Sequence, residues 1–229
     1  MKVTKHNVEL EVDDTTVNGG FWKGAYCGNW EDSTFHVFDQ FADETKVVLD
    51  IGAWIGPTVL YNAKKFKHVV AVEADKLSVQ ELQANVKLNG LGDKVTVVPK
   101  AVYHELTTVR FGKNMFMNGA RDNDSTSQIQ KGDGGYEVET VTLDELVKSI
   151  DGPLGLIKVD IEGGEEFILE QLLKYHLEHR VPMHISFHYS WWSDKSRLAG
   201  LVPLFQQANV SNIVQRVAAD PFCSVVLRG

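Results

Sequence analysis

The chain has 229 residues, of which 43% are hydrophobic, with 23 Lys and Arg set against 31 Asp and Glu. That is enough apolar material for one sizeable core, and it excludes an intrinsically disordered chain. The net charge is −8 with no basic cluster, which argues against nucleic acid as a partner, because displacing phosphate counterions needs a cationic footprint.

The opening MKVTKHNVEL shows no charged-then-apolar leader, and no apolar run approaches the roughly 18 residues of a membrane span. Cys27 and Cys223 make no disulfide framework and fit no metal spacing, so they read as idle or buried thiols in a reducing, cytoplasmic setting. In that setting the sequons at Asn123 and Asn209 are chance matches.

Along the chain, residues 8–12 (VELEV) alternate and predict a short strand, while 18–30 mix glycine with aromatics and predict irregular structure. Phe35, Phe38 and Phe41 share one face of a helix starting near Asp32 or Ser33. VVLDI (47–51) reads as a buried strand, and Pro57 suits the first turn of a helix running to about Phe66. VVAVE (69–73) is the next strand. Ser78 and Glu81 then show capping-box spacing, with Val79, Leu82 and Val86 along one side of the helix around them. VTVV (95–98) follows, and the polar, glycine-rich stretch 107–141 has room for a hairpin. Thr142 and Glu145 repeat the capping-box spacing ahead of Leu143, Leu146, Val147 and Ile150. LIKVD (156–160) is a strand, followed by a helix to about His179, the strand MHISFH (183–188) and a helix over 197–208. IVQRV (213–217) and CSVVLR (223–228) predict a closing antiparallel pair.

Strands alternating with helices predict an α/β fold, doubly wound, with a mostly parallel sheet covered on both faces. In such sheets a ligand sits beyond the carboxyl ends of the strands. That gathers Asp50 to Gly56, Glu73, Asp160 to Glu165 and His188 to Trp192 around one crevice.

The turn after VVLDI reads Asp50-x-Gly52-x-x-x-Gly56, not the G-x-G-x-x-G of a dinucleotide site. A carboxylate at that mouth repels a pyrophosphate and attracts the sulfonium and α-ammonium of S-adenosylmethionine. At ~4 Å the effect is roughly 1 kcal/mol in water and roughly 4 at an effective dielectric near 20. Glu73, 73 − 50 = 23 residues further on, can accept both ribose hydroxyls of either cofactor. Asp50, Asp160 and Glu162 together favour the cationic one. An NAD-dependent oxidoreductase, or a non-catalytic binding module, is the alternative on the same architecture.

Four stretches, VVLDIGAWIGPT, VVAVEAD, VETVTLDELV and LIKVDIEGGEEFIL, occur in an order and spacing that resemble the FkbM-type methyltransferases over roughly residues 30–190. The resemblance implies a class I, S-adenosylmethionine-dependent enzyme that O-methylates sugars or natural products, on a seven-stranded sheet with a reversed last strand. It implies that Asp50, Gly52, Ala53 and Gly56 line the methionine end, with Trp54 standing where many class I enzymes have a third glycine. It further implies that Glu73 holds the ribose, Ala101 lies near the adenine and Asp160 ends its strand beside the reacting methyl. The likeness extends to the Trp30-Glu31 pair, which would bring Glu31 to the cofactor or acceptor; a helix N-terminal acid is the plainer reading. Residues 1–45 then form an N-terminal extension or cap, and 46–229 the methyltransferase domain.

A sugar hydroxyl is a poor nucleophile, so a base should assist it, typically worth roughly 10²–10⁴ in rate. His188, at the carboxyl end of its strand, is the first candidate, then Asp160, with Glu162 beside them. His184, on the same side of that strand, reads as a core histidine. Asp160, Glu162 and His188 would be acceptable to a divalent ion, but their spacing forces no metal geometry and none is assigned. Glu165 and Glu166 read as acids complementing a helix dipole. Tyr189, Trp191 and Trp192 offer aromatic faces to the C–H faces of a sugar, unless one tryptophan anchors the loop in the core. VDIEGGE is unlike the N/D-P-P-Y stretch of amino-methylating nucleic-acid enzymes, which favours oxygen as the acceptor atom.

Overall fold

Five runs rich in β-branched residues and one reversed C-terminal strand build the central sheet of the protein. A computed structural model describes residues 1–114, 125–130, 132 and 134–229. The strands are β1 Lys2–Lys5, β2 Val8–Glu11, β3 Val47–Ile51, β4 His68–Val72, β5 Val95–Val98, β6 Ala101–Val102, β7 Thr108–Gly112, β8 Gln128–Ile129, β9 Tyr136–Val141, β10 Leu154–Val159, β11 Met183–Ser186 and β12 Ser224–Leu227. The helices are α1 Gly19–Phe21, α2 Asp32–Phe41, α3 Pro57–Asn62, α4 Lys76–Leu88, α5 Leu143–Ser149, α6 Glu165–His179, α7 Ser196–Gln207 and α8 Ile213–Ala219, with a π-helical turn over Trp22–Tyr26.

The main sheet has six strands in the order β12-β11-β10-β3-β4-β5. Only β12 runs antiparallel to its neighbour. Every residue of β3 is buried, as expected for a central strand covered on both faces. Val47, Leu49 and Ile51 join a core with Leu146, Leu169, Leu172 and Phe205 from α5, α6 and α7. Val48 turns the other way, to Leu60 and Leu82 of α3 and α4 and to Val3, Leu10, Trp22 and Phe35 of the N-terminal segment. The segment before residue 46 therefore shares a core with the sheet.

Three expectations are corrected. IVQRV is helix α8, not a strand, which leaves six strands in the main sheet among the described residues rather than seven. Ile213 and Val217 are buried while Val214 is 46% exposed, so the i, i+4 period wins over alternation. The N-terminus holds a hairpin, β1 with β2, where one strand was expected, and helical turns occupy much of 18–30. Helix α4 is capped by Asp75, which accepts from the Leu77 and Ser78 amides, not by Ser78.

Thr142 caps α5 as predicted, accepting from the Glu145 amide at 3.3 Å. The stretch 107–141 holds the antiparallel pair β7 and β9, part of a small second sheet. The sequon at Asn123 lies outside the described residues. Cys27 is exposed rather than buried, Cys223 is half-buried, and both are free thiols. No helix among the described residues is long and apolar enough to cross a membrane.

Candidate active site

The turn after β3 is shaped by contact with β10. Gly52 has φ +86, and a Cβ there would come within 1.8 Å of the Asp160 carbonyl oxygen, so only glycine lets the two strand ends lie side by side. Gly56, at φ +100, precedes α3, and its Cβ would meet Leu82 Cδ1 at 2.7 Å. The missing side chain at Gly56 lets α3 pack against α4. Trp54 has φ +47, a strained conformation for a bulky side chain. That geometry explains why glycine suits the position. The Trp54 amide donates to Glu73 Oε2 at 2.7 Å, and its ring meets Phe21 edge-on at 4.7 Å.

Asp50 is placed differently from the expectation. It is fully buried, its Oδ1 is 3.1 Å from Lys158 Nζ, and its Oδ2 accepts from the Thr58 hydroxyl at 2.6 Å. Lys158, 3% exposed, also donates to the Gly52 carbonyl at 2.6 Å. Burial opposes the charge on this lysine, but Asp50 first, then Asp160 and Glu31, raise its pKa above the ordinary value. Lys158 and Asp50 are register partners on neighbouring strands. The Asp50 charge is therefore answered inside the protein and does not line the cleft.

Two adjoining cavities open at the carboxyl end of the sheet, sharing Gly52, Trp54, Asp160 and Glu162 as walls. The first is lined by Glu73, Ala101, Val102, Phe111 and Ile129. The second is lined by Trp30, Glu31, Ala53, Thr58 and Lys158. Gly52, Ala53, Trp54, Glu73, Ala101, Glu31, Asp160 and Glu162 are thus brought together as the sequence predicts. Glu73 accepts the Trp54 and Asp75 amides, one on each oxygen at 2.7 Å, and burial pushes its carboxyl up to about 7.

Glu31 precedes α2 with φ +48 and faces the second cavity. Burial first, then Asp160, pushes it up to about 7. Its flanks are held by Lys5, a buried amine that donates to the Gly28 carbonyl at 2.9 Å, to the Trp30 carbonyl at 2.8 Å and to Asp32.

His188 sits just beyond β11, behind Asp160 and Glu162. Its Nδ1 meets Glu165 Oε1 at 2.7 Å, and its Nε2 lies 3.3 Å from Glu162 Oε2 and 3.6 Å from Asp160 Oδ1. Burial lowers the imidazole pKa, but Glu165 above all, then Glu162 and Asp160, outweigh it and push it up to about 10. Glu162, itself at φ +54, is raised well above the usual carboxyl range, by burial first. His184 is a core histidine, 1% exposed, and burial lowers it to about 4.

The loop after β11 resolves the aromatic question. Trp192 is 3% exposed, packs in the core, and points its indole N–H at Glu165 Oε2 at 3.4 Å. The acceptor role expected of Trp192 gives way to a core role. Trp191 stacks on the His188 ring at 5.1 Å and 10°, and the Tyr189 hydroxyl donates to the Lys195 carbonyl. Glu166, 4% exposed, accepts the Ser193 amide and hydroxyl and the Asp194 amide at 2.6–2.8 Å. Glu165 and Glu166 therefore organise this loop, a role the dipole reading did not foresee. Lys158 was missed too, although a lysine inside an apolar strand signals a buried partner.

The protein is thus a mostly parallel α/β sheet with a reversed edge strand and a cleft at its carboxyl end. Residues 50–209 match the family described as the methyltransferase FkbM domain, and the chain belongs to that family. No curated protein matches it. Among solved structures, FkbM from Methylobacillus flagellatus KT is 19% identical with a TM-score of 0.47, over 71% of this chain and 37% of that one. A putative rRNA-methylase from Clostridium thermocellum is 11% identical with a TM-score of 0.49, over 76% and 77% of the two chains. A putative methyltransferase from Streptococcus mutans in complex with SAH is 10% identical with a TM-score of 0.46, over 75% and 80%. This chain thus spans 37% of the M. flagellatus chain. None of these similarities identifies the acceptor.

Proposed function

We propose that this chain transfers the methyl group of S-adenosylmethionine to a hydroxyl oxygen of a sugar or glycan. The observation that carries the reading is the acid lining of the cleft by Glu31, Glu73, Asp160 and Glu162, with Asp50 already neutralised by Lys158. Glu31 Oε2 is shut off from solvent and takes no hydrogen bond from any described residue, which suits a cationic ligand and not a pyrophosphate.

In this reading Glu73 binds the ribose diol, while Ala101, Val102, Phe111 and Ile129 offer the apolar wall an adenine needs. Gly52, Ala53, Trp54 and Glu31 take the methionine end, with Thr58 beside them. When bound, the cofactor supplies an electrophilic methyl carbon whose bonding pair stays with sulfur on transfer. Asp160 and Glu162 line both cavities, so in this reading they lie beside the middle of the donor, where its methyl group is carried. The proton of the acceptor hydroxyl passes to this carboxylate–imidazole cluster. Asp160 is its nearest face, and His188, held by Glu165, backs it. Trp191, stacked on His188, and the half-buried Tyr189 offer aromatic faces to the acceptor.

The test pairs calorimetry with product analysis. S-adenosylmethionine and NAD are titrated separately, then the protein is incubated with methyl-labelled donor and a panel of glycosides, RNA and simple phenols. A methyl ether on a glycoside hydroxyl supports the reading. NAD binding without S-adenosylmethionine binding would refute it, and label in RNA alone would overturn the sugar assignment and reverse the reading of the −8 charge.

A further inference from the structure

We infer that Asp160, Glu162 and His188 hold a divalent metal ion at the wall shared by the two cavities, open to an acceptor that presents two neighbouring oxygens. The acceptor half of this inference rests on the methyl-transfer reading; the ion site itself does not.

The spacing of the sequence forced no such site, but the fold supplies it. One ligand atom from each of Asp160, Glu162 and His188 lies within 4.8 Å of the other two. The nitrogen is 3.3 Å from the glutamate oxygen and 3.6 Å from the aspartate oxygen. Atoms about 2.1 Å from a common ion stand roughly 3.0 Å apart at right angles and roughly 3.4 Å apart at the tetrahedral angle. The two nitrogen–oxygen separations are close to these values.

Two further features point the same way. A histidine that binds metal nearly always gives its other ring nitrogen to a carboxylate, which fixes the tautomer and aims the free nitrogen. Glu165 is such a carboxylate: it is fully buried, holds Nδ1 at 2.7 Å, and is itself fixed by the Trp192 indole. Glu162 Oε2 is shut off from solvent and takes no hydrogen bond from any described residue, although it faces the imidazole. Lys158 is committed to Asp50 and stands 4.0 Å from Asp160 Oδ2. Two carboxylates and an imidazole are a donor set for a borderline divalent cation. Three protein ligands leave coordination positions free, the pattern of reactive rather than structural sites. Because Asp160 and Glu162 line the cavities, those positions face the cleft, where a vicinal diol or a hydroxyl beside a carboxylate would chelate.

A second cluster, His6, His36 and Asp39, has comparable spacing. Its Asp39 Oδ1 is occupied by the Tyr61 hydroxyl at 2.7 Å and Lys65 at 3.0 Å, and His36 and Asp39 are exposed. It serves as the internal control.

The experiment titrates Co2+ into chelator-treated protein, followed by visible absorption and equilibrium dialysis, while SAH binding is measured separately by calorimetry in EDTA. One Co2+ per chain is expected. Glu162→Gln and His188→Ala should each weaken it by about tenfold or more, Glu165→Gln by less, and His6→Ala not at all. A cis-diol glycoside should perturb the Co2+ bands, whereas its deoxy analogue should not. Circular dichroism checks each variant; should His188→Ala fail to fold, Glu162→Gln, on a partly exposed loop side chain, decides. Absence of a stoichiometric Co2+ site, binding unchanged in Glu162→Gln, or loss of binding in His6→Ala overturns the inference. SAH binding without Co2+ sinks the ion site and leaves methyl transfer standing; Co2+ binding without SAH does the reverse.

Discussion

Lys158 offers the sharpest test of how the cleft is built. The substitution Lys158→Met keeps the length of the side chain and removes its charge. Coulomb's law at the observed 3.1 Å gives a gross attraction to Asp50 of about 5 kcal/mol at an effective dielectric near 20. Desolvating two ions offsets much of that, so the pair itself adds little net stability. Breaking it is another matter, because Asp50 is fully buried and would keep only the Thr58 hydroxyl as a partner. A lost partner of this kind costs about 3–5 kcal/mol. In a chain of this size that corresponds to a fall in Tm of roughly 6–20 °C. Urea unfolding and thermal melts at fixed ionic strength measure it. The double variant Asp50→Asn/Lys158→Met removes the stranded charge as well, and should lose less than the sum of the two single variants by at least about 1 kcal/mol. A Lys158→Met protein within about 1 kcal/mol of the parent, or strictly additive losses, would refute the claim that Asp50 is neutralised internally.

Other consequences are as direct. The Glu73 carboxyl is raised from its ordinary 4.5 to about 7, so its contribution to stability is full below pH 4.5 and disappears as pH rises through about 7. The loss amounts to about 3 kcal/mol across that window and should be absent from the pH dependence of unfolding in Glu73→Gln. His188→Ala should leave SAH affinity intact and lower turnover by roughly 10²–10⁴ in single-turnover assays; unchanged turnover would remove His188 from the mechanism. Trp192→Ala should destabilise the protein by about 3–5 kcal/mol. Trp191→Ala should leave the melting temperature nearly unchanged and raise the acceptor KM; equal melting temperatures for the two variants would contradict their assigned places.

The main sheet was legible because buried parallel strands are written as continuous apolar runs, and VVLDI, HVVAV and LGLIKV lie in register as neighbours. IVQRV was misread because a five-residue stretch of Ile and Val satisfies both periods, and only tertiary packing chooses between them. The cleft residues Gly52, Glu73 and Asp160 were legible from their places at strand ends, and Ala101 from the family resemblance alone. What local pattern could not show is who meets whom across the fold. Asp50 looked available to a ligand because no rule of spacing links it to Lys158, 108 positions later, though a lysine set among apolar residues was a clue. Glu165 looked like a helix-terminal acid because nothing near it in sequence announces the histidine 23 residues on. Neighbouring Trp191 and Trp192 took opposite fates for the same reason, since adjacency alone does not say which ring turns inward.

The clasp of Lys5 on both sides of Glu31 gives the amino-terminal hairpin a purpose that its position in the chain would not suggest. The hairpin acts as a splint for one side of the cavity that Glu31 lines, far in sequence from the Gly52 turn that lines it too. A shortened protein would retain every strand of the large sheet and still be left with a slack wall beside Glu31.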